Sequence, residues 1–149
     1  MEREKYIKTY MQKALDLLSD TDDDEVPVAC LIILHHKMIG FGVNATKKRN
    51  DVSAHAEMIA LKKASTHLHD WRLNEADLFV TMEPCMMCMG AIRLARIRAV
   101  YYGLPNPVTG IFSAYHVSVQ DFSEILIEGS ILEQPIRDRI QSFFQSKRG

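Results

Sequence analysis

The sequence predicts an α/β fold: a three-layer α/β/α sandwich on a central mixed sheet, with residues 1–149 forming one domain. Three observations lead there. Short apolar, β-branched runs alternate with segments of helical periodicity, the first two runs are parted only by a tight turn, and no repeat, low-complexity tract or linker interrupts the order. A length of 149 residues and a hydrophobic content of 47% suit one sizeable core.

The elements follow in order. Ile7, Tyr10, Met11, Ala14, Leu15 and Leu18 recur at helical spacing and predict a first amphipathic helix, ended by the acidic run from Asp20 to Glu25. Val26 to Leu34 is continuously apolar, as a strand buried on both faces must be. His35-His36-Lys37 then turns into a second strand, Met38 to Val43. Ser53 is the expected N-cap of a helix from Ala54 to about Ser65. Leu78 to Met82 reads as a short strand. Pro84 opens a third helix, through about Ala95, from a permitted first-turn position. Ala99 to Tyr102 is a fourth strand, closed by Gly103. Leu104 to Gly129 has no regular pattern, and Ile136, Ile140, Phe143 and Phe144 mark a last helix entered at Pro135.

No apolar stretch approaches the roughly 20 residues that span a bilayer, so no membrane partner is expected. The charged start, Met1-Glu2-Arg3-Glu4-Lys5, lacks the apolar core of a secretory signal. Three cysteines, two of them in a metal motif, fit a reducing compartment, and the cytoplasm is the expected location. A net charge of −1 gives no global basic field. Basic residues cluster locally at Lys47-Lys48-Arg49, at Arg93, Arg96 and Arg98, and at Lys147-Arg148.

The chemistry concentrates in His55-Ala56-Glu57 and Pro84-Cys85-Met86-Met87-Cys88. One histidine and two cysteines supply three protein ligands for zinc and leave a fourth tetrahedral position to water. A C-x-x-C pair alone also serves structural zinc knuckles and redox couples. A structural site usually takes four protein ligands, however, and the third cysteine, Cys30, lies in an apolar run where it reads as a small buried hydrophobe. A redox pair needs no upstream His-x-Glu. His35 and His36 read as an exposed turn, not as ligands.

Cys85 and Cys88 stand at i and i+3 in a first helical turn, where both sulfurs share a face and the helix dipole favours thiolate. His55 opens the preceding helix, so two helix N-termini aim at one metal. Residues two apart do not share a helix face, so Glu57 curls back toward bound water instead of the ion. Ala56 is small enough for its backbone to approach a substrate closely, and Pro84 adjoins the first cysteine.

H-x-E…P-C-x-x-C is the signature of zinc-dependent nucleobase deaminases, which this chain resembles. The resemblance implies the cytidine deaminase-like fold, one Zn2+ per subunit and hydrolytic loss of an exocyclic amine. It makes Glu57 the proton shuttle between water, ring nitrogen and departing ammonia, a role worth about 10² to 10⁴ in rate.

Further segments narrow the family. Glu25-Val26-Pro27-Val28, Gly42-Val43-Asn44, Thr81-Met82-Glu83-Pro84-Cys85-Met86-Met87-Cys88, and Tyr102-Gly103 followed by Thr109-Gly110 resemble the tRNA-specific adenosine deaminases, over most of the chain. The resemblance implies that adenosine at the anticodon wobble position becomes inosine, with the tRNA anticodon stem-loop as partner and a homodimer as the working form. By the same resemblance Asn44 hydrogen-bonds the flipped nucleotide, Val26 and Pro27 wall the base, and Glu83 is a structural or pocket neighbour. Phe143, Phe144, Lys147 and Arg148 would meet the anticodon loop, at least one of the two phenylalanines serving core packing instead.

The chain departs from the family at Leu104-Pro105-Asn106-Pro107, where Asn106 replaces the usual aspartate beside the substrate backbone. The segment between Gly110 and Gly129 is shorter than usual, and the C-terminal end has only two basic residues. Deaminases of free bases or nucleotides are the nearest rivals. Guanine deaminases show Pro-Phe-Gly-Ala where this chain has Pro27-Val28-Ala29-Cys30, and free-cytidine deaminases use cysteine at the position of His55. A non-catalytic zinc subunit that positions RNA would lack Glu57.

Overall fold

The apolar run ACLIIL forms strand β1 (Ala29–Leu34), buried through its first five residues. His35 and His36 adopt left-handed φ values of 48° and 63° and turn the chain into β2 (Lys37–Val43), antiparallel to β1. β3 (Asp77–Met82) pairs antiparallel with the other edge of β1. β4 (Ala99–Leu104) and β5 (Leu126–Glu128) then add in parallel, giving a mixed sheet of order β2-β1-β3-β4-β5. A computed structural model describes residues 2–148, the side chains of Lys147 and Arg148 excepted.

The two-residue period of β1 distributes its side chains to the two faces. Cys30 and Ile32 join a core with Ala56, Ala60 and Ala64 of α3 (Ala56–Leu68) and Met89 and Ile92 of α4 (Met86–Leu94). Leu31 and Ile33 join a second core with Ile7, Met11 and Ala14 of α1 (Glu2–Leu17) and Ile136 of α5 (Glu133–Arg148). Helices therefore cover both faces, and the three-layer sandwich with a mixed sheet stands as expected. The short helix left over is α2 (Thr46–Arg49), which bears the first basic cluster. Among the described residues no helix is long and apolar enough to cross a membrane.

Two glycines seat α3 on β2. A Cβ at Gly40 would lie 2.5 Å from the Ala60 carbonyl oxygen, and one at Gly42 would lie 2.7 Å from that of Ala56. Only a strand without side chains there lets the helix backbone approach so closely. Because Gly42 meets the first turn of α3, this contact fixes where that helix begins.

Several element boundaries differ from expectation for local reasons. β1 starts at Ala29, since Pro27 lacks a ladder donor and Val26 is exposed, so 24–28 runs past as a loop. Ser53 does not cap α3: its hydroxyl donates to the Asp51 carboxylate at 2.7 Å, and His55 becomes the N-cap without a side-chain cap bond. Pro84 likewise stands outside α4, whose N-cap is Cys85. The stretch expected to be irregular holds a 3-10 turn at Val119–Phe122 and β5, too short to show alternation. α5 begins at Glu133, which leaves Pro135 inside its first turn, where its missing N–H costs nothing.

Candidate active site

His55 and Cys85 are the N-caps of α3 and α4, and Cys88 lies three residues into α4. The two helix starts are thus brought together at the C-terminal end of β3. Cys85 Sγ and Cys88 Sγ stand 3.6 and 3.5 Å from His55 Nδ1, and all three donor atoms lie within 4.8 Å of one another. Zinc bonds of about 2.3 Å to sulfur and 2.0 Å to nitrogen at tetrahedral angles require S···N edges of about 3.6 Å. The donor set fits zinc in chemistry and in span. Among the described residues no fourth His, Cys, Asp or Glu joins the cluster, so one position is left for water.

The three donors are electrostatically coupled. Two neighbouring thiolates repel, so the pair shares a proton: hydrogen bonding from Cys88 holds Cys85 down to about 4, while Cys88 is pushed up. His55 is raised by its hydrogen bond to Cys85, against the opposing effect of burial. Glu57, 4% exposed, is pushed up to about 7, first by burial and then by the nearby Cys85. A buried carboxyl titrating near neutrality is matched to taking and returning protons at physiological pH.

A cavity of about 260 Å³ opens onto this centre. Val26, Asn44, Ala56, Glu57 and Asn106 all line it, together with His55 and Cys85. Pro27 and Pro84 are buried beside it without lining it. Phe144 is exposed on α5, in edge contact with half-buried Phe143, and does not line it. The side chains of Lys147 and Arg148 lie outside the described residues. A wider cleft of about 590 Å³ sits at the opposite end of the sheet. There Arg98 and Tyr6 satisfy the buried Asp77 carboxylate and clamp α1 to the strands, and among the described residues no three metal-ligating side chains cluster there.

Asn44 and Asn106 both spend their amides locally. Asn44 Nδ2 donates to the Val26 carbonyl at 3.2 Å, and its Oδ1 accepts from the Thr46 hydroxyl at 3.0 Å. Asn106 Oδ1 accepts from the N–H groups of Val108 and Thr109, and its Nδ2 donates to Thr109 Oγ1 at 2.9 Å.

Val28, Met82 and Thr109 also line the cavity and were not expected there. Their signal was adjacency: each sits within two or three residues of an expected contact. Two buried glutamates matter more. Glu25, 3% exposed, accepts from the Lys47 and Lys48 N–H groups at 3.0 and 3.1 Å and anchors the start of α2. Glu83, 2% exposed, accepts from the backbone of Asn106, Phe112 and Ser113. Nothing in the acidic run distinguishes Glu25 from its solvated neighbours.

Residues 4–104 match the family described as the cytidine and deoxycytidylate deaminase zinc-binding region. The chain is 37% identical over 143 residues to the tRNA-specific adenosine deaminase of Streptococcus pyogenes serotype M1, covering 93% of this chain and 84% of that protein. It is similar, at 34% identity and a TM-score of 0.78, to a structure from studies of A-to-I editing by tRNA:A34 deaminases at the wobble position of transfer RNA; the likeness covers 88% of this chain and 99% of that one. A guanine deaminase from Bacillus subtilis is 33% identical with a TM-score of 0.62, but over only 65% of this chain and 63% of that one.

Proposed function

The chain belongs to the zinc-binding cytidine and deoxycytidylate deaminase family, and within it to the tRNA-specific adenosine deaminases; we propose that it converts adenosine to inosine at the wobble position of tRNA anticodon loops. The observation that carries the reading is the conjunction at one cavity of a three-donor zinc site, a buried carboxyl near neutrality and room for a single base. Residues 1–149 act as one deaminase domain, which is supported by two cores sharing one sheet.

His55, Cys85 and Cys88 hold the zinc. When bound, the ion lowers the pKa of a water toward neutrality and so provides a nucleophile for the purine C6. Glu57 accepts the proton released from that water and delivers it to the ring nitrogen N1. Addition forms the C–O bond. Loss of ammonia then breaks the exocyclic C–N bond, with Glu57 carrying the proton of the new C6 hydroxyl to the departing amine as the C6 carbonyl forms. Ala56, at the first turn of α3, brings its backbone against the base. Val26, Asn44 and Asn106 surround the nucleotide, with Pro27 and Pro84 supporting that wall from behind. The exposed Lys47, Lys48 and Arg49 of α2 neutralise flanking phosphates, and Phe144, Lys147 and Arg148 extend the contact along the loop.

A target base in a hairpin loop is already unpaired, so its extrusion into the cavity costs little. Deamination should therefore be far faster on an RNA anticodon hairpin than on free adenosine or free guanine, and the DNA counterpart of the hairpin, unpaired at the same base, should be accepted as well because Asn106 lacks the usual carboxylate. If guanine or a free nucleoside is turned over best, the RNA reading is wrong and the free-base rival takes its place.

The chain works as a homodimer in the cytoplasm, where its thiol ligands stay reduced. The outer face of α4 supports the pairing: Met86 is 53% exposed, Leu94 75%, and Gly90 has nothing near it. Sedimentation at micromolar concentration should give a dimer, and a monomer there counts against the pairing.

A further inference from the structure

Glu83 takes no part in the proton transfers assigned to Glu57, yet it lines the cavity and its carboxylate is among the most heavily engaged groups there. Oε1 accepts from the Asn106 N–H at 3.0 Å and the Ser113 hydroxyl at 2.5 Å. Oε2 accepts from the N–H groups of Phe112 and Ser113 at 2.8 and 2.9 Å. The same loop is tied to the metal-ligand segment next to Glu83. The Ile111 N–H donates to the Pro84 carbonyl at 3.1 Å, Cys85 bridges to Gly110, and the Glu83 N–H donates to Leu104 at 2.8 Å.

We propose that Glu83 is a positioning residue: its carboxylate sets the width of the base-binding cavity by holding the Asn106–Thr109 wall against the segment that carries Cys85. This rests on the reading that an RNA base fills that cavity. Asn106 and Thr109 line the cavity together with Val26 and Asn44, and the Asn106 side chain bonds only within its own loop. The wall therefore owes its place to its backbone, and the backbone N–H of Asn106 is held by Glu83. Gly110 supports the assignment independently. A Cβ there would lie 2.4 Å from Glu83 Oε2 and 2.5 Å from the Asn106 carbonyl oxygen, so the latch excludes any side chain at that position.

Glu83→Gln separates this role from a merely structural one. An amide can keep the Phe112 and Ser113 N–H groups on its oxygen only by turning its NH2 toward Asn106, where two donors then face each other. The wall is released while the far end of the loop stays attached. Gly110→Ala crowds Glu83 Oε2 and the Asn106 carbonyl oxygen and so forces the carboxylate and the wall apart without removing the carboxylate's charge.

The measurement is kcat and KM on an RNA anticodon hairpin for the parent and both variants, with zinc per chain by elemental analysis. Loss of one charge-assisted hydrogen bond predicts a KM raised about tenfold with kcat within about threefold, because ground state and transition state lose the same wall. Zinc should remain at the parent level in both. Unchanged KM, a fall confined to kcat, or loss of zinc each overturns the proposal. If Glu83→Gln fails to fold, Gly110→Ala decides on the same readouts. If the parent protein does not turn over the hairpin, the substrate reading has failed instead, and the same KM comparison on the best free base tests Glu83 by itself.

Discussion

The two walls of the cavity are held by different means. The inner wall carries His55, Glu57, Cys85 and Cys88 on the first turns of α3 and α4, helices pressed onto the sheet through backbone contact at Gly40 and Gly42 and through a buried apolar core. The outer wall is loop: residues 25–28, the start of α2, and 104–113. Apolar packing roots these segments at Val28, Leu104 and Ile111, away from the residues that meet the nucleotide. Glu25 and Glu83, both buried, hold it by gathering backbone N–H groups onto carboxylates. Groups that make and break bonds need fixed geometry, and regular elements supply it. Surfaces that select a substrate can be re-cut by loop changes while the chemistry stays in place.

The largest expected effect lies on the inner wall. Glu57→Gln should lower kcat by about 10² to 10⁴, the usual worth of positioned acid–base help, with zinc content unchanged. In the parent protein the acid limb of kcat/KM should fall as pH drops through the Glu57 titration, at or below about 7, because the base must be ionised to accept a proton. The variant should lose that limb. Near-parental turnover in Glu57→Gln would remove the shuttle role, and loss of zinc would make Glu57 part of the metal site's support.

Next comes the seat of α3. Gly42→Ala places a methyl 2.7 Å from the Ala56 carbonyl and 2.8 Å from Ile59 Cβ. Overpacking against backbone should cost about 1–3 kcal/mol of stability, read as a lower melting temperature. The same shove displaces His55, one residue before the contact, so activity should fall further than stability alone explains. If stability drops while the residual folded enzyme keeps full kcat, the inner wall is less rigid than the contrast holds.

The inner wall was legible in the sequence and the outer one largely was not. H-A-E and P-C-x-x-C carry their geometry with them, since both sit at helix starts whatever the rest of the chain does. The sandwich was legible because runs such as ACLIIL admit few alternatives. Ser53 misled as a cap because Asp51, two residues earlier, competes for its hydroxyl. The loop latches were invisible for a related reason. Whether Glu25 is solvated like Asp22, Asp23 and Asp24 depends on where α2 lands, and that is a tertiary outcome.

The outer wall makes its own prediction, smaller and dependent on ionic strength. Each phosphate contact to a single strand contributes about 0.7 to the slope of log affinity against log salt. Lys47→Ala or Lys48→Ala should therefore weaken hairpin binding at low salt and flatten that slope by about 0.7, leaving kcat near the parent value. A weaker complex with an unchanged slope would mean that these lysines act through packing of α2 and not through phosphates.

The smallest effect tests a surface outside both walls. Gly90 lies within α4, where an added methyl meets nothing within 4 Å of the subunit. Replacing glycine by alanine in a helix interior is worth about 0.5–1 kcal/mol, so Gly90→Ala should raise the melting temperature of an isolated subunit by a few degrees. If a second copy packs against Met86, Gly90 and Leu94, the same methyl stands in the interface. Stability should then rise less than the helix gain, and sedimentation at micromolar concentration should shift toward monomer. A variant that melts higher and stays fully dimeric would move the interface off α4, while a parent that is monomeric throughout would leave only the helix effect.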